Sequence, residues 1–587
     1  MSSIRFPRLL LVAALAIAPL WWAIARAPAR DGDQAEPARE NKKTGSARDG
    51  NNVAGSLITY PASDFIEQGK GRPGGVLKVS VAVDLQTLDF HVAAGGHWIG
   101  RILYDNLVYL DDKGNVTPWL AKSWQISADH KTYTFHLRDD VTFSDGTKFD
   151  AEAVRVNLAR IRDPATKSAA GASYIDAYVD GKVIDEYTFE AHLRVPYSPF
   201  LPILANTFFG MISPKAIRET PGKLAERPIT TGPFVIESYE RQQSITFVRR
   251  SDYRWAPPFI RHEGPAYVDR IEVQFVPEAV VRYSSLVSGQ FDVTLDAPPQ
   301  NAPAIGADPS LVMVNRVMPG NTVRGPLFNV QKAPFDDVRV RKAFALAIDR
   351  EGIARVVGFG EFYPESDFLS SNMIYYDPSL RNVLKYDVAE ANRLLDEAGW
   401  TERDAKGYRY KNGVRLSAEV VMSPNSGGGG AGNTELAVVE IQSHVKKIGF
   451  ELKIVQLPNA QRLALRSSGN YQAMGPSGAY AGNTPAALFL YYHSSQILTD
   501  QYIGQNLSRL DDTALDELLD RARQSHDPSE LKDLYSKAQR RLIELVPTVP
   551  LFDYQVLSAY RKDIQGILFD TSCNRVSFTT AWIDRKP

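Results

Sequence analysis

The chain has 587 residues, a formal net charge of −1, and 44% hydrophobic and 23% charged residues. That balance is ordinary for a globular protein, and a near-zero charge implies neither a nucleic-acid partner nor an anionic surface. The length leaves room for about four units of ~150 residues each.

The N-terminus reads as a secretory signal. Arg5 and Arg8 precede an apolar run from Leu9 to Ile24, broken by Pro19, and Ala23-Ile24-Ala25 offers small residues for cleavage. The run is shorter than the ~20 residues a spanning helix needs. Residues 1–25 are therefore expected to be removed, the alternative being an uncleaved segment that tethers the protein to the inner membrane. Residues 26–73 form a polar stretch without apolar periodicity, read as a linker. No second long apolar run follows. The single cysteine, Cys573, excludes an intramolecular disulfide and is read as a small buried residue.

Strand-like and helix-like segments then alternate. Val76–Val83, Tyr133–Leu137, Ser244–Val248, Ile271–Val276 and Ser417–Met422 carry strand patterns. Ala151–Arg160, behind Asp150 as a cap, reads as a helix. So do Asp387–Ala398 and Thr434–Ile448, which end at Gly399 and Gly449. Asp512–Arg523 and Ser529–Leu545 are the last helices. Between them, Val338–Ile353 (VRVRKAFALAIDREGI) spaces Val340, Phe344, Ala347 and Ile348 for one buried helix face. Asp336 or Asp337 caps it, and Arg339, Arg341, Lys342, Asp349 and Arg350 are expected to face away. The mixture points to an α/β fold with several sheets.

Catalytic motifs are missing: there is no G-x-S-x-G, no H-E-x-x-H and no Cys/His pair in a recognisable context. The nine histidines, His91, His97 and His493 among them, have no metal-ligand spacing. No catalytic residue, metal or cofactor is assigned.

The wording of several segments, in order, carries a resemblance. Ala121–Trp124 (AKSW), Thr132–Asp139 (TYTFHLRD), Val141–Gly146 (VTFSDG) and Phe149–Val154 (FDAEAV) form one block. Thr231–Phe234 (TGPF), Arg249–Tyr253 (RRSDY), Leu286–Val293 (LVSGQFDV), Phe328-Asn329 and the VRVRKAF helix follow. Together they resemble the family 5 extracellular solute-binding proteins of ABC importers, which take peptides, nickel chelates, opines and oligosaccharides.

The resemblance implies a periplasmic-binding-protein-like fold of type II, in the large bilobal three-domain form. The first domain would take residues 74–118, 229–320 and 548–587, an inserted second domain 119–228, and a third 321–547. Hinge strands are expected near 320–326 and 545–551, and closure of the lobes would trap the ligand. The implied role is a non-enzymatic one: a periplasmic solute-binding component that delivers a peptide-like or other small polar solute to importer permease subunits and their ATPase subunits. The protein is expected to be a monomer without a nucleic-acid partner. It lacks the cysteine that follows the signal in lipid-anchored relatives, so it is expected to be free in the periplasm. The alternative is a binding protein repurposed as a chaperone or a sensor partner.

By the same resemblance, ligand contacts fall in residues 84–97, at the hinge, and in the loop Gly475–Asn483 (GPSGAYAGN). The candidates are Asp84, Trp98, Arg324, Asn329, Tyr375, Ser477, Tyr480 and Asn483. In peptide binders that last loop carries an aspartate that pairs with the α-amino group. A gapless alignment puts Ala481 at this position. Free-amino-terminal peptides are then expected to bind poorly, unless Asp84 or Asp89 substitutes, because a buried unpaired ammonium costs several kcal/mol. Arg324, at the expected hinge, is a candidate for a ligand carboxylate, although a structural ion pair is the commoner use of such an arginine.

Overall fold

A computed structural model describes residues 71–585 apart from 94–97, 111–114, 169, 258–259, 261, 263, 319, 321, 423–433, 479–483, 500–503 and 571–575. The signal, most of the linker, His97, Tyr480, Ala481, Asn483 and Cys573 lie outside the described residues.

Three sheets organise the chain. The first has seven strands in the order 311–317, 555–561, 293–294, 76–81, 270–275, 244–249, 234–240. Its middle strand, Val76–Val81, runs parallel to Arg270–Phe275 and to Val293–Thr294. The second sheet orders 451–456, 417–422, 473–474, 323–328 and 477–478, and 548–552 also pairs with 323–328. All six residues of Val323–Phe328 are buried, as expected of a central strand covered on both faces. The third sheet is antiparallel, in the order 121–126, 132–137, 188–193, 178–185. Its strands Thr132–Leu137 and Thr188–Leu193 alternate half-buried and buried residues, so one face meets the core. Helix Ala151–Arg162 packs on that sheet, and the Asp150 side chain accepts from the Ala153 amide at 2.8 Å to start it. Two large apolar clusters result. One gathers the first and third sheets, the other the second sheet and its helices.

Helices Val388–Glu397 and Thr434–Lys446 stop before Gly399 and Gly449. These glycines take φ of +86° and +81°, a left-handed conformation that a side chain would strain.

The run Val338–Ile353 departs from expectation. It is two helices, Val338–Leu346 and Arg350–Gly358. The Asp337 carboxylate accepts from the Arg339 amide at 2.8 Å and caps the first. The Asp349 carboxylate accepts from the Gly352 amide at 2.9 Å and caps the second. A cap in mid-run satisfies the free amides of a new helix, so the axis can turn. Arg341 and Arg350 do not face away; both are buried. Arg341 donates to the carbonyl oxygens of Leu545 (2.8 Å) and Phe335 (2.6 Å). It thereby closes the C-terminal end of helix Pro528–Leu545, where a cation is favoured. Arg350 donates to the carbonyls of Pro550 and Leu384. Burial pulls both guanidinium groups down to about 10.

The buried face of the first of these helices builds an aromatic cluster. The rings of Phe328 and Phe335 stack at 4.3 Å. Phe344 meets Phe328 edge-on at 5.1 Å and Phe450 at 5.2 Å. Each such pair adds about 0.5–1.5 kcal/mol beyond area burial, which fixes the strand that carries Arg324.

The crossings between the first and second sheets also differ from expectation. The segments at 323–328 and 548–552 are themselves paired strands of the second sheet. The chain passes from one sheet to the other at residues 318–322 and 553–554.

Candidate ligand-binding site

Arg324 sits on the central strand of the second sheet, with Ser477 as its backbone partner across the ladder. Its side chain is 1% exposed. The guanidinium carbon lies 4.2 Å from the centroid of the Tyr491 ring and 5.7 Å from that of Tyr492. Nη1 donates to the Tyr492 hydroxyl at 3.0 Å, and Nε has no partner. Among the described residues Arg324 makes no ion pair.

An acid beside this cluster makes no ion pair with it. Asp367 is buried beside Tyr492, and its neighbour Phe368 meets that ring edge-on at 5.4 Å. The Asp367 carboxylate takes the Phe368 and Leu369 amides on Oδ1, while Oδ2 has no partner. Burial, and then the charge of Glu365, hold this carboxyl well above the usual carboxylate range. A buried unpaired charge costs several kcal/mol, whereas a desolvated cation–π contact returns about 2 kcal/mol. Arg324 is thus an unsatisfied cation, and it faces two tyrosines on helix Ala487–Tyr492, where the two apolar clusters meet.

Helix Asn459–Ser468 brings two more arginines to the region. Arg462 and Arg466 are half-buried and one helical turn apart, and the Nε of each is buried without a partner. Burial pulls Arg466 down, and the Arg462 charge adds to the effect. Burial alone accounts for the shift at Arg462. Tyr491 lies in the field of both Arg324 and Arg466.

The other sequence candidates take different places. Asn329 is fully buried, donates to the carbonyls of Gly469 and Tyr471 at 3.0 Å each, and accepts from the Gln331 amide. Its amide fastens the segment that leads into the 475–483 loop. Ser477 lies in a two-residue strand beside Arg324. The Asp84 carboxylate accepts from the Tyr239 hydroxyl (2.9 Å), the Leu85 amide and the Gln242 amide, pinning a hairpin of the first sheet. Asp89 pairs with Arg160. Trp98 is buried edge-on against Phe247 at 6.4 Å, its Nε1 without a partner. Tyr375 adopts φ of +64° and stacks on Tyr535 at 5.6 Å. No group of three or more metal-ligating side chains is found among the described residues.

Sequence reasoning missed Tyr491, Tyr492, Arg462 and Arg466. The spacing of four between the arginines was visible; their lack of acidic partners was not. It also missed the contacts across the lobes. Arg523 pairs with Asp176. Its guanidinium lies between the rings of Phe489 (3.7 Å) and Tyr197 (4.7 Å). The Ser198 amide donates to the Arg523 carbonyl at 2.8 Å, and His130 stacks on His526 at 3.9 Å.

The sequence pattern of the "Bacterial extracellular solute-binding proteins, family 5 Middle" matches residues 115–498. The chain belongs to this family. It is a periplasmic-type solute-binding component of an ABC importer, and not an enzyme. Di/tripeptide-binding protein 2 of Pseudomonas aeruginosa is 27% identical over 486 residues, 79% of this chain and 86% of the relative. The periplasmic binding protein DppA of Helicobacter pylori, solved with the peptide STSA, superposes with a TM-score of 0.73 at 23% identity, covering 88% of this chain and 99% of that one. AgaA of A. tumefacien R10, solved with agropinic acid, gives 0.72 at 23% identity, with 87% and 99% covered. The fold is the large type II binding-protein form. No helix among the described residues is long and apolar enough to cross a membrane.

Proposed function

We propose that this family member captures a small polar, peptide-like or opine-like solute that carries an anionic group, with Arg324 as the residue that reads the anion. The observation that carries this reading is a cation 1% exposed, without an ion pair among the described residues, at the meeting of the two lobes. An arriving carboxylate can accept from the free Nε and from the rest of the fork, and charge-assisted bonds of this kind are the strong ones. Relatives named for di- and tripeptides and a neighbour solved with agropinic acid fit a small polar solute.

In this reading the three sheets are the cores of three domains, near 74–118 with 229–320 and 553–587, 119–228, and 321–552. Residues 318–322 and 553–554 act as the hinge. Ligand must bind the closed form better than the open one for closure to follow. Asn329 holds the strand to the loop, while Ser477, Tyr480 and Asn483 supply neutral hydrogen bonds. Trp98 and Tyr375 lend aromatic surface, and Asp84 shapes the rim. The protein acts as a secreted monomer and hands the solute to permease subunits.

Calorimetry with Ala-Ala and with N-acetyl-Ala-Ala tests the ligand class. With Ala481 where peptide binders carry an acid, the blocked compound is expected to bind more tightly by at least about tenfold, since an unpaired ammonium costs several kcal/mol. Equal or tighter binding of Ala-Ala overturns the reading.

A further inference from the structure

We infer that the site takes a solute with two anionic groups, the second held by Arg466 with Arg462 beside it. This rests on the reading of Arg324 as the receptor of the first.

Arginines elsewhere in the chain are mostly paired with acids. Arg101 meets Asp570, Arg160 meets Asp89, Arg381 meets Glu365, Arg409 meets Asp396 and Arg523 meets Asp176. Around Tyr491 the pattern reverses. Arg324, Arg462 and Arg466 have no ion pair among the described residues, and each leaves a buried Nε without a partner. Arg462 has one side-chain hydrogen bond, from Nη2 to Asn459 Oδ1 at 2.9 Å.

Two like charges four apart on a helix repel. Placing both where their Nε atoms are shielded from water raises that cost. The tyrosines do not supply negative charge: burial pushes the Tyr491 and Tyr471 hydroxyls up to about 12, so both stay neutral. Tyr471 donates its proton to the Leu507 carbonyl. The three arginines therefore have no ion-paired counterion among the described residues. One monoanion at Arg324 leaves the helix pair uncompensated. A solute with acidic groups at both ends, one for Arg324 and one for the helix pair, balances the cluster. Such solutes include dicarboxylic acids, N-acylated acidic peptides and acidic amino-acid conjugates.

The test uses the full-length mature chain after unfolding, removal of bound solute and refolding. Thermal shift and calorimetry are run with the straight-chain dicarboxylates from succinate to suberate, N-acetyl-Ala-Glu and N-acetyl-Asp-Ala. The monoamide of each compound is the single-charge control. We expect at least one dianion to bind about tenfold more tightly than its monoamide, the usual worth of one charge-assisted contact. Arg466→Gln should abolish that preference and leave the monoamide affinity in place. Arg324→Gln should weaken both members of the pair. Equal binding of dianion and monoamide, or a preference that survives Arg466→Gln, overturns the second anion subsite and leaves the Arg324 reading standing. No binding by any member of the series overturns both. Arg466→Lys, which keeps the charge, distinguishes a lost subsite from a lost fold, because it should retain part of the preference.

Discussion

Arg523 and Asp176 join the two lobes in a partly buried ion pair, and Asp176 also lies 3.6 Å from Arg194 of its own lobe. Arg523 lies on helix Thr513–Gln524 beside the second sheet, and Asp176 precedes strand Tyr178–Asp185 of the third. The arginine is sandwiched between Phe489 of its own lobe and Tyr197 of the other. In an open form both charges would be hydrated, so the pair acts on the open–closed balance and not on the folding of either lobe.

Removing one partner of a fully buried pair costs about 3–5 kcal/mol; the partial exposure of Asp176 and its contact with Arg194 reduce this to roughly 1.5–3 kcal/mol. Arg523→Ala is therefore expected to lower the closed-to-open ratio by about tenfold or more and to enlarge the radius of gyration seen by small-angle scattering. Asp176→Asn should act in the same direction, and the double variant should cost little more than either single one. Unchanged scattering in both single variants would show that the contact has no part in closure.

The histidine at position 91 predicts a pH dependence of stability. Its Nε2–H donates to the Gly210 carbonyl at 2.9 Å, while Nδ1 accepts from Arg160 at 2.9 Å. Burial pulls the imidazole down to about 4, against the opposing pull of Asp89. The unfolded chain binds this proton near 6.5, so it takes up more protons than the native state between about 6.5 and 4. Stability is thus fully present above pH 6.5 and falls as pH drops through this window, by up to ~3 kcal/mol. Asp105 works the other way. Burial raises it to about 6, so its contribution is full at low pH and shrinks as pH rises from about 4 to 6. Chemical denaturation of wild type and His91→Gln between pH 4 and 7 separates the two. The variant should lose the acid-side decline, and an unchanged slope would contradict the assignment.

Gly232 is packed against backbone. A Cβ there would lie 2.2 Å from the Leu103 carbonyl oxygen and 2.9 Å from the Tyr104 nitrogen. The Gly232 amide donates to that same Leu103 carbonyl at 3.0 Å. Since backbone cannot swing aside as a side chain can, Gly232→Ala is expected to cost about 2–4 kcal/mol, read as a lower denaturant midpoint. Gly222→Ala, where nothing lies within 4 Å of the added carbon, should change stability little.

The legible parts of this chain were those whose cause is local. The strand Ser417–Met422 was legible to the residue, and the Asp150 cap and the glycine stops of two helices carried their own chemistry. The misread stretch shows the limit. The apolar spacing of Val338–Ile353 continues through Asp349, and a period cannot report that a carboxylate turns back to cap a new helix. Charge pattern also placed Arg341 and Arg350 outside, because their partners are carbonyls of Leu545 and Pro550, two hundred residues away. The same holds at the candidate site. Arg324 could be named from its place before Phe328-Asn329, but Tyr491 and Tyr492 are distant in sequence and meet it only through the sheet. That it makes no ion pair among the described residues is a fact about space and leaves no local mark.

The central claim is that Arg324 reads an anion on the captured solute. Its most direct test is denaturing extraction and mass spectrometry of whatever co-purifies with wild type and with Arg324→Gln, both confirmed folded by circular dichroism. An acidic solute released by wild type and missing from the variant is the predicted result. Equal loading of the two proteins, or a neutral or cationic solute in wild type, would contradict it.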